Sequence, residues 1–303
     1  MAKIAVELQR ALAQRAANGA SGHQSMRLLA QGPGWTVHDV ICTAGPQDRP
    51  YEEQHSRTSI AIVAAGSFQY RSHSRSGSQR ELMTPGSLLL GNAGQIFECG
   101  HEHAEGDRCL SFQYAPDYFE RIAADSGVGG SLRRFRVLRV PPLRALSCVI
   151  ARACTSVIGS IQPPWEELGI QLAARAVHLA GGLSPKAGGA QPVAERRVTR
   201  TVREIELRPD AGLTLEEMAR EAGLSPYHFL RIFQVLTGVT PHQYVLRARL
   251  RKAAIRLAAP GGDRRASILD IAFDSGFGDV SNFNHAFRAE FGVSPRRYRK
   301  LHG

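Results

Sequence analysis

The chain has 303 residues, 43% of them hydrophobic and 21% charged, with a formal net charge of +11. That composition suits about two globular domains and does not fit a disordered or fibrous chain. The positive excess points to a polyanionic partner, nucleic acid before membrane, and no apolar run reaches the roughly 18 residues of a transmembrane helix.

The opening, MAKIAVELQRALAQRAANGA, is a short amphipathic run with charges inside it. It lacks the continuous apolar centre of a secretory signal. The five cysteines, Cys42, Cys99, Cys109, Cys148 and Cys154, are odd in number and scattered. They predict reduced thiols and a cytoplasmic location, not a disulfide framework.

Residues from about 35 to 115 carry short β-like runs separated by turn signals. SIAIVAAGSFQYRS is β-branched and aromatic around Gly66, GSLLLGNAGQIFECG follows a Pro85-Gly86 turn, and RCLSFQYAP ends at Pro116. Strands at this spacing predict a sandwich or barrel. Its aromatics Phe68, Tyr70, Phe97 and Phe112 are candidates for an effector pocket as well as core residues.

Within this segment lies ECGHEHAEGDRC, with Cys99, His101, His103 and Cys109. Thiol and imidazole suit zinc or copper. In an extended strand alternate side chains share a face, so Cys99, His101 and His103 would converge. The spacing matches no familiar zinc module, and the same residues also serve as hydrogen-bonded or buried structural groups. A zinc ion is therefore one reading of the cluster, and no cofactor is the other.

From about residue 117 to 180 the pattern turns helical. LRALSCVIARACTSVIGS and PWEELGIQLAARAVHLA carry apolar residues at helical spacing, on either side of Pro163 and Pro164. They predict a helical hairpin that covers the β-domain or forms a homodimer face. The stretch GGLSPKAGGAQPVAERR, residues 181–197, reads as a flexible linker.

The remainder, 198–303, reads as helices with brief turns and is markedly basic. Residues 195–303 hold 19 Lys and Arg against 12 Asp and Glu, an excess of 7 of the chain's 11. Two units share one grammar. In TLEEMAREAGLSPYHFLRIFQVLTG, Thr214 and Glu217 form a capping box, Gly223 ends the first helix, and Ser225 with Pro226 starts the second. In SILDIAFDSGFGDVSNFNHAFRAEFG, Ser267 and Asp270 open a helix, Gly276 makes the turn, and Asp279 or Ser281 caps the next.

Phe229, Ile232, Phe233 and Leu236 face inward at helical spacing, as do Phe283, Phe287 and Phe291. A helix-turn-helix lays its second helix in the DNA major groove. The residues left outward there are Ser225, Tyr227, His228, Leu230, Arg231 and Gln234 in the first unit. In the second they are Asp279, Val280, Ser281, Asn284, His285 and Arg288, with Arg296 and Arg299 behind. Arg231 suits guanine, Asn284 adenine, and Leu230 or Val280 a thymine methyl. The basic helix PHQYVLRARLRKAAIRLAAP joins the units, so one chain can read successive groove segments of double-stranded DNA.

The tandem units and the string SGF…SNFNHAFRAEFGVSPRRYR resemble the AraC/XylS family of bacterial transcription regulators over about 100 residues. His285 departs from the family pattern, which often has Arg there. The resemblance implies an α+β protein: an N-terminal cupin-like sensing and dimerisation domain, then an all-α DNA-binding domain. It implies promoter binding, more often activation than repression, with RNA polymerase as partner and a small-molecule effector. The cupin metal signature is not intact, since His73 and Glu81 stand without a His-x-His pair. The expectation is therefore a regulator and not an enzyme, with no membrane association. The alternatives are a cupin-like enzyme fused to a DNA-binding domain, or a repair protein moving alkyl groups to cysteine.

Overall fold

The computed structural model describes residues 3–74, 77–126, 134–158, 164–184, 192–258 and 266–302. Helix α1 (Lys3–Asn18) precedes strands β1 (Gln24–Gly32), β2 (Trp35–Cys42), β3 (Glu52–Gln54), β4 (Thr58–Gly66) and β5 (Phe68–Ser74). Strands β6 (Gly77–Met83), β7 (Leu88–Gly91), β8 (Ile96–Gly100) and β9 (Asp107–Tyr114) follow, then helix α2 (Pro116–Asp125) and the short strand β10 (Arg139–Val140). Helices α3 (Ser147–Ile158) and α4 (Trp165–Gly181) close this half. The other half is helical: α5 (Pro192–Leu207), α6 (Leu215–Glu221), α7 (Pro226–Thr237), α8 (Pro241–Ala258), α9 (Ile268–Asp274), α10 (Val280–Phe291) and α11 (Pro295–His302).

All strand pairs are antiparallel, in two sheets ordered β1-β2-β9-β4-β7-β10 and β3-β8-β5-β6. Among the described residues the sheets do not close into a barrel, so the fold is a sandwich. The larger sheet is buried on both faces. Ile60, Ile62, Leu110 and Phe112 belong to the core beneath α2, α3 and α4, while Ala61, Val63 and Cys109 belong to the core shared with Phe68, Tyr70, Met83 and Phe97 of the smaller sheet. This double burial explains the unbroken apolar run of β4. At Gly66, φ +76°, the chain passes from one sheet to the other, and a Cβ there would lie 2.2 Å from the Gly106 carbonyl oxygen. Only glycine fits that crossing.

The β-rich region is wider than the expected 35–115. Strand β1 lies before it and β10 after it. Neither alternates clearly in sequence, because β1 is an edge strand and β10 has only two residues.

The helical half has two apolar cores that meet on α8. Phe229, Phe233, Tyr244 and Val245 belong to the first; Leu250, Leu257, Phe283 and Phe287 belong to the second. Successive turns of α8 thus serve successive units. At 18 residues, α8 is about 27 Å long.

The halves are in close contact, which narrows the expected 181–197 linker. Residues 192–197 are the first turns of α5, and 185–191 lie outside the described residues. Glu195 is buried and its carboxylate accepts from Arg80 of β6 at 2.8 Å. Leu82 joins the first helical core, Ala151 of α3 joins the second, and Ser147 donates to Glu290.

Helices α3 and α4 pack on each other, and their apolar stripes turn inward, as the covering role among the two expectations requires. Val149, Ile150, Leu168, Leu172 and Val177 are all buried within the chain. The stripes that looked surplus cover the sheet and the DNA-binding half. Among their described residues, Ile170 is the large apolar side chain left exposed.

Candidate nucleic-acid interface and effector cavity

Each helix-turn-helix starts from a complete capping box. The Thr214 hydroxyl accepts from Glu217 N while the Glu217 carboxylate accepts from Thr214 N, and Ser267 and Asp270 repeat this on α9. The turn into α10 passes Gly276, φ +90°, where a Cβ would lie 2.6 Å from the Asp210 Cα. A side chain there would push the second unit off the segment that follows α5.

The second helices present most of the predicted residues to solvent. On α7, Tyr227, His228, Arg231 and Gln234 are exposed, with Tyr227 at 76%. On α10, Ser281, Asn284, His285 and Arg288 are exposed, and Arg296 is exposed on α11. Tyr227, His228 and Ser281 stand near the N-terminal ends, where a recognition helix approaches base edges, while Gln234 and Arg288 lie further along their helices.

Other predicted residues have a different local job. Ser225 accepts from His228 N at 3.3 Å, and the Asp279 carboxylate accepts from Asn282 N at 2.7 Å. Both side chains are helix caps, and Asp279 brings negative charge to the end that would face phosphate. Val280 is half-buried and packs on the second core, so its methyls face inward. Leu230 and Arg299 are both half-buried.

Leu230 and His285 both line a cleft of about 900 Å³ between the units, together with Gln243, Arg249 and Asn282. Asn282 escaped the sequence reading because it stands beside the cap and looks like part of it. Its side chain is exposed, and its amide suits a base edge.

A cavity of about 400 Å³ lies between the sheets and opens to solvent beside Met26 and Tyr51. Phe68 and Phe97 line it as expected. Tyr70 sits behind Phe97, ring centroids 5.4 Å apart, with its hydroxyl 2.7 Å from His55 Nε2. Burial pulls the His55 imidazole down to about 4, so it is neutral near pH 7. Phe112 does not reach the cavity. It faces the opposite side of the sheet, against Trp165 of α4 at 6.2 Å.

Cys99, His101 and Cys109 also lie on the cavity wall, but His103 leaves them. Strand β8 ends at Gly100 and residues 102–104 turn, so alternation along one strand stops before His103. Its Nδ1 lies 2.8 Å from the Glu102 carbonyl oxygen, and its ring is in the electrostatic field of Glu195 and Arg80. In its place stand Cys42 and Asp107, which are direct partners in the β2–β9 register. No spacing in the sequence announces that pairing, because it depends on how two strands 65 residues apart are aligned.

The loop after β8 also touches the helical half. Glu102 accepts from Arg71 and, at 3.1 Å, from Arg80, whose other carboxylate partner is Glu195 on α5. One guanidinium thus connects the cavity loop to the first helix of the DNA-binding half.

Comparison with known proteins finds relatives of the helical half. A family described as a helix-turn-helix domain matches residues 218–301. The chain is 33% identical over 97 residues to the probable transcription factor PqrA of Proteus vulgaris, covering 32% of this chain and 76% of PqrA. It is 41% identical over 85 residues to the transcriptional activator RhaS of Klebsiella pneumoniae, covering 28% of this chain and 29% of RhaS. Among solved structures, an AraC-type regulator from Chromobacterium violaceum is 25% identical, covers 37% of this chain and 97% of its own, and gives a TM-score of 0.33. With two capped helix-turn-helix units and a regulator matched over three quarters of its length, the chain belongs to the AraC/XylS family of DNA-binding transcription regulators.

Proposed function

We propose that this regulator reads two successive major-groove segments of a promoter with α7 and α10 and takes its effector in the sandwich cavity. Residues 1–180 do the sensing, and the helices from Pro192 onward do the DNA reading. The observation that carries the proposal is the division of α8 between two cores, which fixes two exposed recognition helices to one rod. Activation, in contact with RNA polymerase in the cytoplasm, is the regulatory role we propose, as for the relative named an activator.

Fluorescence anisotropy of the full-length protein on promoter fragments tests this. Raising salt from about 50 to about 200 mM should weaken binding at least about tenfold, as phosphate contacts release counterions. Affinity insensitive to salt would overturn the DNA-reading assignment.

The proposed homodimer uses β1 in place of α3 and α4. It is the outer strand of the larger sheet, and Met26 and Leu28 are 55% and 49% exposed on it. An edge strand with free backbone groups and exposed apolar side chains is a template for pairing. Light scattering over a concentration series should show a dimer that Leu28→Lys returns to monomer. A monomer at every concentration would remove the dimer from the mechanism.

A further inference from the structure

We propose that the cavity wall is a binding site for one thiophilic metal ion of the zinc class, held by Cys42, His101 and Asp107, and that this ion is the regulatory signal. The proposal rests on the cavity being the effector site and names the chemistry of the effector.

The groups converge from separate elements. Cys42 ends β2, His101 follows β8 of the opposite sheet, and Asp107 begins β9. One ligand atom from each of Cys42, His101 and Asp107 falls within 4.8 Å of the others. Cys109 Sγ donates to Asp107 Oδ2 at 3.2 Å. Tetrahedral zinc, with bonds of about 2.0–2.3 Å, sets its ligands about 3.3–3.8 Å apart. Side-chain rotation closes the remaining gap.

His101 lines the cavity, and its side chain is 1% exposed. Its Nε2 lies 2.8 Å from Asp107 Oδ1, so Nε2 is the nitrogen that can share one ion with that carboxylate. The ring proton then resides on Nδ1, which is buried on the other edge of the ring.

The donor set selects the ion. Thiols and imidazole favour zinc or copper(I), and one carboxylate is too few for magnesium or calcium. Cys42 would ligate as thiolate, its proton released to solvent on binding.

The route outward is short. Glu102 is the next residue after His101 and shares Arg80 with Glu195 of α5. Drawing His101 towards a metal moves the loop that holds Arg80, and so the start of the DNA-binding half.

The test uses the full-length protein, reduced and freed of metal with a chelator, then titrated with zinc chloride against a chromophoric competitor. One equivalent should bind, and cobalt(II) in its place should show thiolate charge-transfer bands. Cys42→Ser and His101→Ala should each weaken zinc at least about tenfold, while His103→Ala leaves it unchanged; melting temperatures check that each variant folds. Zinc should shift promoter affinity about fivefold or more, and Arg80→Ala should abolish that shift with zinc affinity kept. Absence of stoichiometric zinc, or equal loss in His103→Ala, overturns the site. Zinc bound with no change in promoter affinity overturns its regulatory role. An apolar fluorescent probe separates the underlying reading: probe displaced by Ala61→Trp with no zinc bound sinks the metal alone, and no probe binding to the wild type sinks the cavity as effector site.

Discussion

Asp39→Ala is expected to destabilise the sandwich by about 3–5 kcal/mol, since it leaves a buried guanidinium without its counter-charge. Asp39 on β2 and Arg108 on β9 are 3% and 2% exposed. Arg108 donates through Nε to Asp39 Oδ1 at 2.9 Å and through Nη2 to Oδ2 at 2.8 Å. Its Nη1 donates to the Ile4 carbonyl at 2.8 Å and so ties α1 to the sheet. Arg27 adds a third donor to the same carboxylate at 2.8 Å. Replacing both partners, Asp39→Ala with Arg108→Leu, should recover more than half of the loss. What costs most is the stranded charge, not the absent pair. Denaturant unfolding reads both numbers, and a loss below about 1 kcal/mol for Asp39→Ala would mean that water reaches Arg108.

The same pair gives a pH signature. Burial alone would raise the Asp39 carboxyl, but its bonds to Arg108 and Arg27 outweigh that and hold it below 3.8. A folded value below the unfolded one contributes stability in full above the unfolded value. That contribution falls away as pH drops from about 4 through the folded value. Acid unfolding of the wild type should therefore be steeper below about pH 4 than that of the double variant. Equal acid profiles would show that the pair does not govern acid stability.

The two halves of the chain were legible to different degrees. The helical half announces itself in local chemistry. Thr214, Ser225 with Pro226, and Ser267 each occupy the cap position their residue types favour, and Phe229, Phe233, Phe283 and Phe287 lie at the inward spacing of one helix face. These signals lie within a few residues of one another, so tertiary context is not needed to read them. The sandwich is harder. The larger sheet is buried on both faces, so the alternation that would have separated Phe112 from Phe68 is absent. The partnership of Cys42 with Asp107 depends on strand register, and the departure of His103 depends on a strand ending at Gly100. Glu195 looked like part of a linker because the residue that buries it, Arg80, is distant in sequence.

Loss of one base reader from each unit should reduce promoter affinity nearly additively. Arg231→Ala on α7 removes a guanidinium suited to guanine, and Asn284→Ala on α10 removes an amide suited to adenine. Both side chains are exposed, and neither residue belongs to a core. Each substitution should cost about 1–3 kcal/mol on the preferred sequence and leave thermal stability unchanged. The two helices pack on different stretches of the 18-residue α8. Separate cores give the two sites no shared partner, and such sites combine within about 0.5 kcal/mol. The double variant should therefore lose about 2–6 kcal/mol, while its salt-dependent binding to unrelated DNA persists. Arg296→Ala, at the exposed start of α11, should instead weaken binding evenly on every sequence, as a phosphate contact does. Each variant can be measured on fragments carrying single base changes. Uniform loss across those fragments for Arg231→Ala would assign Arg231 to the phosphate backbone, and no loss for Asn284→Ala would leave α7 as the reading helix.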